Sequence, residues 1–179
     1  MQKIKIYGLG GQGVVTLGKV ICNAVGVYDG KYAKTMPEYG HERRGGTVFT
    51  DVIIDEEPIL TNCFVYKPDI VMVLDPYVHG NGFDVTAGIH ENTILLMNAE
   101  DTAFSFVSAF RECWYSNVSQ ISLNILQRDF PNIGMLGMFL RLGLLREESL
   151  EMSMKEIFRK NSETYIKVMK EAYSDARKL

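Results

Sequence analysis

A chain of 179 residues with 46% hydrophobic, 23% charged and 11% aromatic side chains has the make-up of a folded globular protein, not a disordered one. Its net charge of −3 excludes an overall electrostatic pull toward nucleic acid or an anionic membrane, so any anion site is a local arrangement. The three cysteines, Cys22, Cys63 and Cys113, stand far apart without a C-x-x-C pair, which excludes an iron–sulfur centre held by this chain alone.

Lys3-Ile4-Lys5-Ile6-Tyr7 reads as a short apolar strand, and Gly8-Leu9-Gly10-Gly11-Gln12-Gly13 turns it into a helix. Val14, Val15, Leu17, Val20, Ile21, Ala24 and Val25 recur at helical spacing, predicting a helix near residues 12–26 closed by Gly26. Asp29-Gly30 marks a turn and residues 31–36 a second strand, completing a unit long enough for a right-handed parallel crossover. A polar, glycine-bounded loop, residues 37–46, follows. Residues 47–54 read as a β-branched and aromatic strand, with Ile59-Leu60-Thr61 as its short antiparallel return after the Asp55–Pro58 turn.

Residues 70–74 and 93–97 are continuous apolar runs, as in strands buried on both faces. The segment His79 to Gly88 between them is irregular, and from Ala103 the apolar residues Phe104, Phe106, Val107 and Phe110 fit no single period. Residues 132–145 and 147–178 return to helical spacing, with Gly134 and Gly137 suited to close packing. The expected fold is α/β: a single domain, 1–179, with a three-layer Rossmann-like mixed sheet, mostly parallel with an antiparallel pair, and a helical C-terminal part from about 131 to 179. No apolar run approaches the ~18–20 residues that span a bilayer, and the N-terminus begins directly with a strand pattern, so a cytoplasmic protein is expected.

The glycine turn satisfies G-x-G-x-x-G, which has two readings. Its bare amides at a helix N-terminus can cradle a phosphate, or the glycines serve only a tight turn. For a dinucleotide, Glu38 stands at the distance of a ribose-binding carboxylate, although Gln12 is an amide that such a site does not need. In the polar loop, Arg43-Arg44-Gly45-Gly46 sets two permanent cations beside unhindered backbone, a group that binds phosphate or carboxylate or joins His41 and Glu42 in a salt-bridge network. His41 has no nucleophile beside it. His79 and His90 lack a carboxylate at ligand spacing, and Asp55, Asp69 and Asp75 sit where capping explains them, with Asp75 alternatively facing a cleft. No catalytic residue and no metal site is assigned.

Taken together, Gly8-Leu9-Gly10-Gly11-Gln12-Gly13 and Pro37-Glu38-Tyr39-Gly40-His41-Glu42-Arg43-Arg44-Gly45-Gly46 give a chain that resembles the gamma subunit of 2-oxoacid:ferredoxin oxidoreductases. The resemblance continues through Pro58-Ile59, Pro68-Asp69-Ile70 and the segment from Asn132 to Gly143, and is greatest toward the 2-oxoglutarate group. The pyruvate and branched-chain versions, and a free-standing nucleotide-binding protein, are the alternatives. The resemblance implies a subunit, inactive alone, of an enzyme that converts a 2-oxoacid and coenzyme A into acyl-CoA and carbon dioxide while reducing ferredoxin. It further implies alpha, beta and ferredoxin-like delta subunits as partners, which hold thiamine diphosphate, magnesium and iron–sulfur clusters, while this chain alone holds no cofactor. On that reading Gly8, Gly10, Gly11, Gln12, Gly13, Arg43, Arg44, Gly45 and Gly46 handle the phosphates of coenzyme A, or the arginines dock the subunit.

Overall fold

A computed structural model describes residues 1–38 and 46–179. Among the described residues, one mixed sheet of seven strands runs in the order β2-β3-β1-β4-β5-β6-β7. These are β1 (Gln2–Leu9), β2 (Tyr32–Pro37), β3 (Thr47–Asp55), β4 (Ile70–Val73), β5 (Ile94–Asn98), β6 (Glu112–Ser116) and β7 (Arg177–Lys178). The run β1-β4-β5-β6 is parallel. β7 closes the far edge antiparallel to β6.

β3 lies antiparallel between β1 and β2, so the two strands expected as neighbours share a direction without sharing hydrogen bonds. The antiparallel partners of β3 are therefore β1 and β2 rather than residues 59–61, which are irregular. The reason is pairing: β3 meets β1 over its whole length, from Gln2↔Ile54 to Leu9↔Thr47, whereas Leu60 is 91% exposed and buries nothing. The connection carrying residues 59–67 is instead strapped to the sheet by a buried ion pair. Lys5 Nζ lies 3.2 Å from Asp51 Oδ1 and donates to the Val65 carbonyl at 3.0 Å, while the Val65 N–H donates to Asp51 Oδ2 at 2.6 Å.

The helices α1 (Val14–Asn23), α2 (Val118–Leu126), α3 (Pro131–Leu140), α4 (Glu147–Phe158) and α5 (Ser162–Asp175) bury apolar side chains in one large core that also takes Ile4, Ile6, Val52, Ile70 and Met72 from the sheet. α1 is continued by a π-helical turn, Ala24–Tyr28, so Gly26 lies inside the helical run, which ends at Asp29 and Gly30 (φ +70°). The other core takes Tyr7, Val71, Val73, Leu95 and Met97 and is covered by irregular chain bearing Val78, Val85, Phe106, Val107 and Phe110. This explains why the phenylalanines after Ala103 show no period: they cover a sheet from short 3-10 turns, not from one face of a helix.

Candidate functional site

The glycine turn ends β1 where the chain crosses toward β3 and β2 on one side, while β4 leads to β5 on the other. A crevice outside the carboxyl ends of parallel strands at such a switch of direction is the usual ligand position of open α/β sheets. Gly8, Gly10, Gly11, Gln12, Gly13 and Gly46 are brought together here. Arg43, Arg44 and Gly45 lie outside the described residues, as do Tyr39, Gly40, His41 and Glu42.

The turn commits part of its hydrogen-bonding capacity to its own shape. The Gly10 N–H donates to the Gly46 carbonyl at 2.7 Å, and the Gln12 N–H to the Leu9 carbonyl at 3.0 Å. Gln12 Oε1 accepts from the Leu9 N–H at 2.8 Å, and Nε2 donates to Asp75 Oδ2 at 3.4 Å. Gln12 thus clasps the end of β1 to the end of β4. Asp75 fills the capping role expected of it, since Oδ1 accepts from the Tyr77 N–H at 3.0 Å and caps the short turn Pro76–Val78. Gly8 is packed so that a Cβ would lie 2.7 Å from the Val14 side chain.

Gly11 and Gly13 differ from these. Both have positive φ, +102° and +78°, and among the described residues their N–H groups meet no acceptor. Gly11 is exposed with open space around it. Gly13 precedes the first turn of α1, which holds no acidic residue and which no side chain among the described residues caps. Its Cα faces the side-chain amide of Asn132, which a Cβ on residue 13 would approach to 2.5 Å. Asn132 is 7% exposed, the second residue of α3, and sequence reasoning treated it only as the start of a helix. Nothing in one sequence marks it, because its significance comes from α3 reaching α1.

Glu38 does not enter the crevice. Its N–H donates to the Phe49 carbonyl at 3.2 Å, and Phe49 pairs with Tyr7, so Glu38 stands two strand spacings, ~10 Å, from β1. The inserted β3 removes the ribose-binding position that a dinucleotide fingerprint requires. Burial pushes the Cys22 thiol up to about 12 and the Cys113 thiol to about 11, so neither is a thiolate at neutral pH. Among the described residues no three His, Cys, Asp or Glu side chains gather to hold a metal ion. What the glycine turn offers an oxyanion is backbone N–H and a helix N-terminus, with the Gln12 amide and the Asp75 carboxylate beside them engaged with each other.

A family model described as pyruvate ferredoxin/flavodoxin oxidoreductase matches residues 3–178. The common gamma subunit of the pyruvate/ketoisovalerate oxidoreductases of Pyrococcus abyssi is 34% identical over 163 residues, covering 88% of this chain and 87% of that one. Subunit PorC of pyruvate synthase from Methanothermobacter marburgensis is 37% identical over 159 residues, with the same coverage. Among solved structures, the pyruvate oxidoreductase subunit PORC of Thermotoga maritima superposes with a TM-score of 0.84 at 25% identity, covering 99% of this chain and 97% of that one. A 2-oxoglutarate:ferredoxin oxidoreductase from Magnetococcus marinus, solved with 2-oxoglutarate, coenzyme A and succinyl-CoA bound, shares the fold at a TM-score of 0.75 and 18% identity, over 97% of this chain and 30% of that one.

Proposed function

The chain belongs to the pyruvate ferredoxin/flavodoxin oxidoreductase family as a gamma-type subunit of an oxoacid oxidoreductase, and from this premise we propose that it serves a pyruvate or branched-chain 2-oxoacid enzyme, handling coenzyme A at the glycine turn. The observation that carries the reading is the match to gamma-type subunits over nearly the whole of both chains. Their named substrates favour pyruvate and ketoisovalerate over the 2-oxoglutarate expected from the loop motifs. The partners are the alpha, beta and ferredoxin-like delta subunits, which bring thiamine diphosphate and its magnesium together with the iron–sulfur clusters. Residues 1–179 act as one gamma-type domain in the cytoplasm; among the described residues no helix is long and apolar enough to cross a membrane.

At the site, the N–H groups of Gly11 and Gly13, which meet no acceptor among the described residues, and the first turn of α1 receive a phosphoryl group of coenzyme A. Gly8, Gly10, Gln12 and Gly46 hold the turn in shape, and Arg43 and Arg44, which precede Gly45 and Gly46 in the chain, supply the countercharge. The test is co-expression with the partner subunits, followed by coenzyme A-dependent pyruvate oxidation read by reduction of a viologen dye. The complex turns over and the isolated chain does not. Gly11→Asp, which sets a carboxylate on the exposed amide, raises KM for coenzyme A about tenfold while KM for pyruvate stays. Pyruvate turnover by the isolated chain, or an unchanged KM for coenzyme A in the variant, overturns the reading.

A further inference from the structure

The strap of residues 59–67 is fastened to the sheet by its main chain. Lys5 and Asp51 hold the carbonyl and the N–H of Val65, Lys34 Nζ donates to the Thr61 carbonyl at 2.9 Å, and a Cβ on Gly88 would lie 1.8 Å from the Tyr66 carbonyl oxygen. A buried ion pair such as Lys5–Asp51 costs desolvation and is a weak source of stability, so its effect here is to fix position. The strap's large side chains stay in solvent. Leu60 and Tyr66 are exposed, Tyr66 at 76%, and Phe64, which meets Phe49 edge-on at 5.5 Å, keeps 39% of its surface in water. A fixed backbone that presents large apolar groups costs the lone chain hydrophobic free energy and gives a partner a surface with little left to order. Beside these side chains, between the strap and the strands β1 and β3, runs a groove of about 270 Å³. Buried Ile53 and Val65 line it together with Cys63, Phe64 and Tyr66. Among the described residues its charged lining side chains are Lys3 and Lys67, both cationic.

We propose that this groove docks an acidic, apolar segment of a partner subunit, with an apolar side chain entering beside Phe64 and Tyr66 and flanking carboxylates meeting Lys3 and Lys67. This rests on the chain working as one subunit of an oxidoreductase and adds the surface by which it joins the others. An apolar centre with a charged rim is the ordinary anatomy of such a surface, and tyrosine is among the side chains that anchor one. Charge selects the occupant. A two-fold pairing with a second copy sets one patch against itself, which would bring Lys3 and Lys67 toward their own equivalents as water leaves, and like charges oppose that. A small apolar ligand would fill the groove and leave Leu60 in water.

The experiment compares the oxidoreductase assembled by co-expression with the isolated full chain. Cys63 lines the groove and is exposed, while Cys22 is part-buried and Cys113 buried, so alkylation of Cys63 by N-ethylmaleimide, read by peptide mass spectrometry, reports whether the groove is covered. Cys63 reacts at least about tenfold more slowly in the assembled enzyme, as a closely packed interface requires. Co-expressed in competition with the parent chain, Tyr66→Ser and Lys67→Glu each enter the enzyme about tenfold less than the parent. The Tm of each isolated variant stays within about 2 °C of the parent, as befits a surface side chain. Lys67→Arg, which keeps the charge, enters like the parent. Equal reactivity of Cys63 in the enzyme and the isolated chain overturns the proposal and leaves the subunit reading standing, as does parent-like entry of Tyr66→Ser or Lys67→Glu. Protection of Cys63 that grows with the concentration of the isolated chain, with dimers in sedimentation, gives the groove to a second copy and overturns it too. If the parent chain co-purifies with no partner subunit, both the proposal and the subunit reading are wrong.

Discussion

Asp29 shows how one carboxylate joins residues far apart in the chain. Its side chain is almost buried; Oδ1 accepts from Arg146 Nε at 2.7 Å and from the Ser149 hydroxyl, and Oδ2 accepts from the Arg146 N–H at 3.2 Å. Asp29 thus caps the start of α4 from the end of the α1 run. Burial acts to raise its carboxyl, but the Ser149 hydroxyl, the Arg146 guanidinium and the Arg146 N–H outweigh it and hold it below the usual range. A carboxyl depressed in the fold gives stability that is complete above its unfolded pKa and is lost as pH falls through the lower folded value. Asp29→Asn is expected to cost about 1–3 kcal/mol in urea unfolding at neutral pH. The difference from the parent shrinks when the same unfolding is run in acid, below the ordinary aspartate range, as the parent carboxyl protonates in its turn. An equal deficit at both pH values would show that the charge is not the source.

At the scale of elements, α3 and α5 touch backbone to backbone. A Cβ on Gly137 would lie 2.0 Å from the Met169 carbonyl oxygen and 2.8 Å from the Tyr173 nitrogen, and one on Gly134 would lie 2.4 Å from Val118 Cβ. Helix propensity alone favours alanine over glycine by about 1 kcal/mol. The contact reverses the sign: Gly137→Ala is expected to destabilise by about 1–3 kcal/mol and lower Tm by roughly 3–10 °C, measured by thermal circular dichroism. A rise in Tm would mean that the helices separate freely. These glycines were legible in the sequence as close-packing positions, as were β1, β3, β4, β5, α1 and the C-terminal helices, because each element carries a clear hydrophobic period or an unbroken apolar run. β6 and α2 were not, since Glu112-Cys113-Trp114-Tyr115-Ser116 alternates only briefly and α2 buries just Val118 and Ser122 fully. The partners of β3 were also hidden, because strand pairing joins residues as far apart as Gln2 and Ile54 and leaves no local pattern. At the site, the glycines declared themselves by spacing, whereas Asn132 required the contact between α1 and α3.

For the whole molecule, the last residues finish the sheet. β7 pairs Trp114 with Lys178 and Tyr115 with Arg177, and the Leu179 N–H donates to the Cys113 carbonyl at 2.9 Å. Deleting residues 176–179 leaves β6 as an open edge, so the shortened chain is expected to self-associate in light scattering with only a modest fall in Tm. A monodisperse truncated chain would show that this edge needs no cover. At the opposite side of the sheet, the insertion of β3 between β1 and β2 has a consequence for how the protein is made. Of the seven strands β1 leaves the ribosome before the other six, yet its two neighbours are residues 47–54 and 70–73, so it waits without them while β2 and the whole α1 run emerge. β2 and β3 are close enough in sequence to form a hairpin early, and that hairpin then has to capture β1 along β3. Until it does, the apolar face of α1 has no sheet to cover, which makes the nascent N-terminal third the stretch most dependent on timing during synthesis.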